Sequence, residues 1–363
     1  MKYVDEFRDS GRVLKISKQI NKIAPKGVIN IMEVCGTHTQ NFYRFGLDKL
    51  LPINLKFISG PGCPVCVSSQ DYIDNAIYLA REKDVIIVTF GDMLRIPGSK
   101  SSLEEQRAKT GNIRVVYSPL ESLKLAKINP DKKIVFLAVG FETTAPTIAL
   151  TVLKAKQEKI NNLFFLISLK LMPPAMRYLL EDKRVKIDGF LLPGHVSVII
   201  GTKAYEFIPH SYGVGGCVAG FEPLDILTGI YNLLKQIKSN NPRVANEYVR
   251  LVNKSGNLKA QALLSKVFVT SGSLWRGFGS IPKSGLKLRD NLSRFDAEKF
   301  FGLGLKNKKT GFIKGCKCGD VLKGLIIPTS CRLFGKLCIP ENPIGPCMVS
   351  SEGACNAYYK YKR

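Results

Sequence analysis

The sequence SGPGCPVC at residues 59–66, together with EVCGTHT at residues 33–39, decides how this chain is organised. Each stretch follows a short apolar run that is typical of a β-strand, and each places a cysteine where that strand would end. Glycines and prolines around the first cysteine of SGPGCPVC exclude a regular helix or strand, so we expect a tight turn there. The two turns carry side chains with C-x-x-C or C-x-x-H spacing, namely Cys35, His38, Cys63 and Cys66.

A C-x-x-C pair alone has several uses, including disulfide exchange, zinc binding and a purely structural role. The pair here is joined by a further thiol, Cys35, and an imidazole, His38, from the neighbouring turn. Thiolates select soft metals such as iron, zinc or copper(I). The combination therefore favours a metal or redox site over a structural cysteine pair.

Apolar runs rich in β-branched residues recur over the first 240 residues, each followed by a turn of small residues and a segment of helical length. Strands that alternate with helices are typical of mostly parallel sheets covered on both faces. The predicted strands lie at residues 27–34, 55–59, 84–90, 112–117, 133–139, 163–169, 187–192 and 216–221.

The unusual turns all follow predicted strands, and ligands of open α/β sheets bind outside the carboxyl ends of the strands. Taken singly, Glu142 in GFETT and His195 in PGHVS are more typical of a helix cap and a core histidine. Their shared position at strand ends favours a catalytic role. If two sheets face each other, one cleft would be lined by Cys35, His38, Cys63, Cys66, Asp92, Glu142 and His195.

Six of the ten cysteines lie in the last 48 residues: Cys316, Cys318, Cys331, Cys338, Cys347 and Cys355. Structural zinc sites favour paired C-x2–4-C knuckles, and this region has no second knuckle. The surrounding residues are apolar or small, which suits a shielded iron–sulfur cluster. The pattern favours such a cluster over zinc or simple buried thiols. Six thiols exceed the four that a cluster needs, so two could form a neighbouring redox pair.

These patterns together predict the α/β class. We expect two doubly wound, Rossmann-like parallel-sheet domains facing a cleft, and a C-terminal cysteine-rich iron–sulfur domain. The predicted limits are residues 1–128 for the first α/β domain with the Cys35, Cys63 and Cys66 site, 129–240 for the second, and 241–363 for the cysteine-rich domain.

Composition and charge narrow the function classes. The 363 residues contain no apolar run long enough to cross a membrane, and the charged N-terminal segment lacks the apolar centre of a signal peptide. We therefore expect a cytoplasmic protein, in which clustered cysteines bind metals or carry electrons. The net charge of +25 comes from scattered lysines without a nucleic-acid recognition motif, so it indicates a solvated surface and attraction to acidic proteins. A nucleotide-binding glycine loop is also absent.

Nine stretches, spread over nearly the whole chain, resemble the hydrogenase-maturation family HypD. Several are highly specific, notably GPGCPVC and the C-terminal CMVSSEGAC. The matching stretches are EVCGTHT (33–39), SGPGCPVCV (59–67), FGDMLRIPG (90–98), VGFETTAPT (139–147), LLPGHVSVIIG (191–201), GFEPLDIL (220–227), WRGFGSIPKSGL (275–286), CKCGDVL (316–322) and the run 331–358.

This resemblance implies a scaffold that helps to build the Fe(CN)2CO unit of nickel–iron hydrogenases, although whether it catalyses ligand transfer is left open. The implied partners are a small HypC-like chaperone, a HypE-like cyanide donor and, indirectly, the hydrogenase large subunit. Neither nucleic acid nor a membrane is expected. The competing hypothesis is a zinc-stabilised cytoplasmic thiol oxidoreductase or interaction module.

The resemblance also implies roles for individual residues. The assembled iron would be bound by Cys35, Cys63 and Cys66. Together with the position of the other side chains at strand ends, this makes the candidate catalytic residues Cys63, Cys66, His38, Glu142 and His195. A 4Fe–4S cluster would be held by Cys316, Cys331, Cys338 and Cys355. An adjacent redox pair, or alternative ligands, would be Cys318 and Cys347.

Overall fold

The computed structural model describes residues 4–303 and 315–362. Its strands are β1 (Ile29–Glu33), β2 (Leu55–Ser59), β3 (Val85–Thr89), β4 (Ile113–Val115), β5 (Lys133–Gly140), β6 (Leu163–Leu169), β7 (Gly189–Pro193), β8 (Gly215–Ala219), β9 (Val244–Asn246), β10 (Phe268–Trp275) and β11 (Gly279–Leu288).

The α-helices lie mostly between these strands, as the alternating pattern predicts. They are α1 (Ser10–Ile23), α2 (Gly36–Arg44), α3 (Pro64–Val67), α4 (Gln70–Leu79), α5 (Leu103–Thr110), α6 (Glu121–Ile128), α7 (Ala145–Gln157), α8 (Met172–Glu181), α9 (Gly194–Ile200), α10 (Phe207–Tyr212), α11 (Pro223–Lys238), α12 (Leu258–Val267), α13 (Ala297–Phe300), α14 (Cys318–Leu322) and α15 (Ala354–Tyr361).

Two parallel sheets form the body of the molecule. The first sheet has the strand order β2-β1-β7-β8-β9, and the second sheet has the order β4-β3-β5-β6. Their strands read as near-continuous apolar runs because helices cover the sheet faces, and β3 is buried at every position. The predicted α/β class with Rossmann-like parallel sheets and a cysteine-rich C-terminal region is confirmed. β10 and β11 form a separate antiparallel hairpin.

The prediction that the strands of residues 1–128 form one sheet and those of residues 129–240 form the other is wrong. The first two strands, β1 and β2, belong to the first sheet. The next four, β3 to β6, form the whole second sheet, and β7 to β9 belong to the first sheet again. The position predicted as a domain limit at residue 128 lies between two strands of the second sheet, and β9 of the first sheet follows residue 240. An apolar strand indicates burial on both faces but does not identify its neighbour, which long-range packing selects.

One apolar core joins the two sheets and the cysteine-rich region. It contains Met32 from the first sheet, Leu137 from the second sheet, and the buried side chains of Cys66 and Cys347. Two further cores lie around helices on other faces of the sheets, with α7 against the second sheet and α11 against the first. The cysteine-bearing turns are therefore located where the three parts of the molecule meet.

Residues 315–362 close over the turn that follows β1. The helix α15 packs against α2, and the hydroxyl groups of Tyr43 and Tyr358 are 2.8 Å apart in a hydrogen bond. Gly36 has no room for a side chain, because a Cβ there would lie 2.3 Å from the carbonyl oxygen of Glu352. Among the described residues, no helix is both long enough and apolar enough to cross a membrane.

Candidate functional site

The two turns that carry the C-x-x-C and C-x-x-H patterns lie side by side. Their strands, β1 and β2, are parallel neighbours, with Glu33 opposite Ser59 at the carboxyl ends. The Gly36 N–H donates to the Gly62 carbonyl at 3.2 Å, and the Gly60 N–H donates to the Glu33 carbonyl at 2.8 Å. Parallel pairing thus brings all four side chains of the pattern to one sheet edge.

Cys63 and Cys66 are joined by a disulfide in this structure. Cys63 is the N-cap residue of α3, where its sulfur accepts a hydrogen bond from the Cys66 N–H at 3.2 Å. Pro64 follows at the first helical position, where its missing N–H does not weaken the helix. Both residues are almost completely buried, and they belong to the core that joins the two sheets.

A cleft of about 700 Å³ opens between the sheet ends next to this disulfide. Cys63 lies on one wall, and residues that follow β3, β4 and β5 form the other, including Asp92, Ser118 and Thr144. Ser350 and Glu352 from the C-terminal region complete the lining. The carboxyl ends of parallel strands thus contribute to one cavity, as expected for a ligand site in an α/β protein.

Cys35 is buried between two carboxyl groups that the site prediction missed. The Cys35 N–H donates to Glu33 at 2.8 Å, and the Thr37 hydroxyl donates to Glu352 at 2.7 Å. Burial, together with Glu352 and Glu33, raises the pKa of the Cys35 thiol to about 12. Cys35 is therefore a neutral thiol at neutral pH and must release a proton to bind a metal.

The buried carboxyl group of Glu33 should make the stability of the folded protein depend on pH. Burial raises its pKa from 4.5 to about 8, so between these values the folded chain holds a proton that the unfolded chain has lost. The contribution of Glu33 to stability is therefore complete below about pH 4.5 and is lost as the pH rises towards 8. We expect Glu33→Gln to be more stable than the parent protein at pH 8, by roughly a few kcal/mol, and equal to it near pH 4.5.

Urea unfolding at several pH values measures this difference. Glu104→Gln is the matched control, because Glu104 is an exposed carboxylate, and it should leave the pH profile unchanged. Burial also raises the pKa of Glu142, to about 7. The stability of Glu33→Gln should therefore still fall as the pH rises, but less steeply than that of the parent protein. An unchanged slope in that variant would show that Glu33 is ionised in the folded protein.

His38 and His195 both pack against the Phe221 ring, with ring-centroid distances of 4.7 and 4.0 Å. His38 Nε2 is 2.9 Å from the Gly220 carbonyl oxygen, which only accepts hydrogen bonds, so Nε2 carries the proton. Burial lowers the pKa of His38 to about 4, so the ring is neutral. Its buried Nδ1 has no hydrogen-bond partner within the described residues and is a free acceptor.

Glu142 follows β5 of the second sheet. Its Oε1 accepts the Met172 N–H at 2.8 Å, whereas its buried Oε2 has no hydrogen-bond partner in the described part of the chain. Tyr205 lies within electrostatic range of both Glu142 and Cys35. Of the seven residues predicted to line one cleft, the lining of the 700 Å³ cleft includes Cys63 and Asp92 but not Cys35, His38, Cys66, Glu142 or His195.

The C-terminal cysteines converge on one small cavity. Its lining includes Cys316, Cys318, Cys331, Cys338 and Cys355, but not Cys347. The cavity measures about 10 Å³, roughly the space of one water molecule, so these thiols would have to separate around a larger bound group. Soft sulfur donors in this number fit an iron–sulfur cluster or zinc by their chemistry.

Contacts among these thiols are close. The sulfurs of Cys316 and Cys318 are 3.2 Å apart, and a Cβ on Gly345 would lie 2.5 Å from the first of them. Hydrogen bonds from Cys316, Cys347 and Cys355 lower the pKa of Cys318. Cys347 thus interacts with Cys318 without lining the cavity. The carbonyl oxygen of its neighbour Pro346 lies 3.8 Å from the sulfur of Cys66.

No three His, Cys, Asp or Glu side chains of the described residues are already placed to bind one metal ion. The ligand sets inferred from the sequence therefore stay predictions. What the structure brings together is one pair of turns with Cys35, His38, Cys63 and Cys66, and one cysteine-lined cavity behind it.

Comparison with known proteins identifies the family. The HypD model, described as "Hydrogenase formation hypA family", matches residues 12–362. The chain is 45% identical over 372 positions to "Hydrogenase maturation factor HypD" of Cupriavidus necator, covering 100% of this chain and 98% of that protein. It is 43% identical to the factor of the same name from Escherichia coli, covering 100% and 99%. A "Putative hydrogenase expression/formation protein" of Methanocaldococcus jannaschii is also 43% identical, with coverage of 98% and 99%. This chain therefore belongs to the HypD family.

Proposed function

We propose that this protein is a cytoplasmic hydrogenase maturation factor that presents thiols to the iron of an Fe(CN)2CO unit during its assembly for nickel–iron hydrogenases. The observation that carries the proposal is the pair of neighbouring turns: the turn that begins at Cys35 is hydrogen-bonded through Gly36 to Gly62, next to the Cys63–Cys66 disulfide, and Cys63 lines the cleft. The names of its relatives, which are hydrogenase maturation factors, support the same process.

Iron is the substrate in this proposal, and the thiols of Cys35, Cys63 and Cys66 are its ligands. Binding requires the buried Cys35 thiol to lose its proton, which a divalent cation at the sulfur favours. Glu352 lies next to this residue and is a carboxyl group that can receive the proton, whereas Glu33 already holds one at neutral pH. His38 offers a free Nδ1 on the same helix start.

The Cys63–Cys66 disulfide must open before both sulfurs can bind iron. Its reduction consumes two electrons and two protons, breaks the S–S bond and yields two thiols, and a low-potential electron-transfer protein is the class of reductant required. A 4Fe–4S cluster held by Cys316, Cys331, Cys338 and Cys355 would supply one-electron redox chemistry. The contact between Cys66 and Pro346, beside Cys347, places the disulfide next to the cysteine-rich region.

Partner proteins are part of the proposal. A HypC-like chaperone and a HypE-like cyanide donor would approach the open side of the 700 Å³ cleft, and the finished unit would pass on towards the hydrogenase large subunit. The net charge of +25 would attract acidic partners and speed their association at low salt.

Infrared spectroscopy of the protein, co-purified anaerobically with its HypC-like partner from cells that mature hydrogenase, tests this function. We expect bands of iron-bound cyanide and carbonyl, together with iron and acid-labile sulfide from the cluster. Cys35→Ala should lose the diatomic-ligand bands but keep the sulfide, because Cys35 does not line the C-terminal cavity. Absence of the bands in the parent protein under maturing conditions would contradict the assembly role.

The disulfide itself favours one alternative, a zinc-stabilised thiol oxidoreductase or interaction module. The anaerobic preparation separates the two functions. A colourless protein with stoichiometric zinc supports the alternative, whereas a brown protein with iron and sulfide supports the maturation scaffold.

A further inference from the structure

Arg276 lies in the turn between β10 and β11 with an unsatisfied guanidinium. Its Nε donates to the Ser68 carbonyl at 2.8 Å. Both terminal nitrogens, Nη1 and Nη2, are shielded from solvent and have no hydrogen-bond partner within the described residues. Arginine keeps its positive charge in proteins, and leaving such a charge buried and unpaired is strongly unfavourable. A negative group that completes this site is therefore expected.

The backbone fixes this guanidinium beside the segment that carries the disulfide. The Arg276 N–H donates to the Val67 carbonyl at 2.9 Å, and Trp275 forms an antiparallel bridge with Ser68. These contacts follow directly after α3, the helix that contains Cys66. One side of the arginine is thus anchored to two successive carbonyl groups, those of Val67 and Ser68.

The same turn touches the C-terminal cysteine region on its other side. Gly277 has a φ of +84°, and a Cβ there would lie 2.5 Å from the Cα of Gly319. Gly319 directly follows Cys318 at the start of α14. Only a glycine-to-glycine contact allows the hairpin turn to approach the cysteines this closely, so the position of Arg276 relative to them is tightly constrained.

Cysteines are the main electrostatic partners of this guanidinium. Burial lowers the pKa of Arg276, and electrostatic attraction to Cys318, Cys316 and Cys347 opposes that effect. The single carboxylate that also contributes, Asp74, acts more weakly than the three cysteines. The orphaned guanidinium therefore lies within the field of the cysteine-lined cavity.

We propose that Arg276 is the buried counter-charge of the C-terminal metal–thiolate centre and raises the reduction potential of the cluster held there. This inference rests on the proposed function, because that function places the cluster at these cysteines. A four-thiolate iron–sulfur cluster is anionic and gains negative charge on reduction, so a nearby fixed cation stabilises its reduced form. Buried charge and hydrogen bonding around the sulfurs are established means of tuning such potentials.

The test compares cluster potentials by dye-mediated redox titration followed by electron paramagnetic resonance. Arg276→Gln should lower the equilibrium constant for one-electron reduction at least tenfold, or about 59 mV. Arg276→Lys keeps the charge and should recover most of the shift, which a merely structural role would not explain. Lys317→Gln is the matched control: Lys317 lies between two of the cysteines in sequence but is 57% exposed and paired with Asp320, so water screens its charge.

An unchanged potential in Arg276→Gln, with normal iron and sulfide content, would overturn the proposal. If the parent protein holds no cluster, the proposed function fails in that part, and the counter-charge is tested separately with zinc. Chelator competition should then show at least tenfold weaker zinc binding at the C-terminal cysteines in Arg276→Gln than in Lys317→Gln. Equal affinities would overturn the role of Arg276. If Arg276→Gln folds poorly, Arg276→Lys decides the question, and failure of that variant to recover the potential or the affinity would also overturn the role.

Discussion

Replacement of Cys66 by alanine is expected to reduce hydrogenase maturation at least about 100-fold, to the background of cells without the factor. The residue is 1% exposed and is joined to Cys63 at the cleft, so its loss removes both the disulfide and one thiol of the proposed iron site. Groups that act as one redox unit lose nearly all of their function when either member is removed. Hydrogenase activity in a host that lacks its own copy of the factor measures the effect.

Cys217→Ala provides the matched control for this experiment. Cys217 is also a fully buried cysteine, but it lies within β8, where its sulfur is 3.8 Å from the Val218 carbonyl oxygen. We expect this variant to retain nearly full maturation, since it loses only packing of a small apolar side chain, at about 1 kcal/mol. Equal maturation in Cys66→Ala and Cys217→Ala, at equal protein levels, would contradict a redox or iron-binding role for the disulfide pair.

Local patterns in the sequence were sufficient to locate the candidate site. Apolar runs ending in Glu33 and Ser59 identify β1 and β2 because buried parallel strands must be apolar on both faces. The glycines and prolines that follow cannot continue a strand, so the cysteines had to lie on turns at a sheet edge. Both inferences depend only on the chemistry of a few neighbouring residues.

Contacts between distant segments were beyond such reasoning. Glu352 reaches Thr37 across 315 residues of sequence, and Arg276 approaches Val67 from a hairpin whose position no local pattern reveals. The pairing of β1 with β7 could not be predicted either, because many apolar strands could pair with β1 equally well. Glu33 alone had a usable signal, because a carboxyl group that ends an apolar strand is costly unless it is neutral or hydrogen-bonded.

Gly62→Ala is expected to destabilise the protein by about 3 kcal/mol or more and to separate the two cysteine-bearing turns. An added Cβ would lie 2.3 Å from the Cys35 nitrogen, 2.4 Å from the Cys35 Cα and 2.5 Å from the Val34 carbonyl carbon. All three are backbone atoms, so no side-chain rotation can relieve the overlap. One turn must move away from the other, which breaks the Gly36–Gly62 hydrogen bond that ties them together.

Gly27→Ala separates this steric effect from the general effect of replacing a glycine. Gly27 precedes β1, is exposed, and has no atom within 4 Å of an added Cβ. Its replacement should change the free energy of urea unfolding by less than about 1 kcal/mol, with alanine slightly favoured because it restricts the unfolded chain. In Gly62→Ala the displaced turns should also bring Cys35 out of the core, so its alkylation by iodoacetamide should become faster. If Gly62→Ala matches Gly27→Ala in both stability and Cys35 protection, the turns are not held by direct backbone contact.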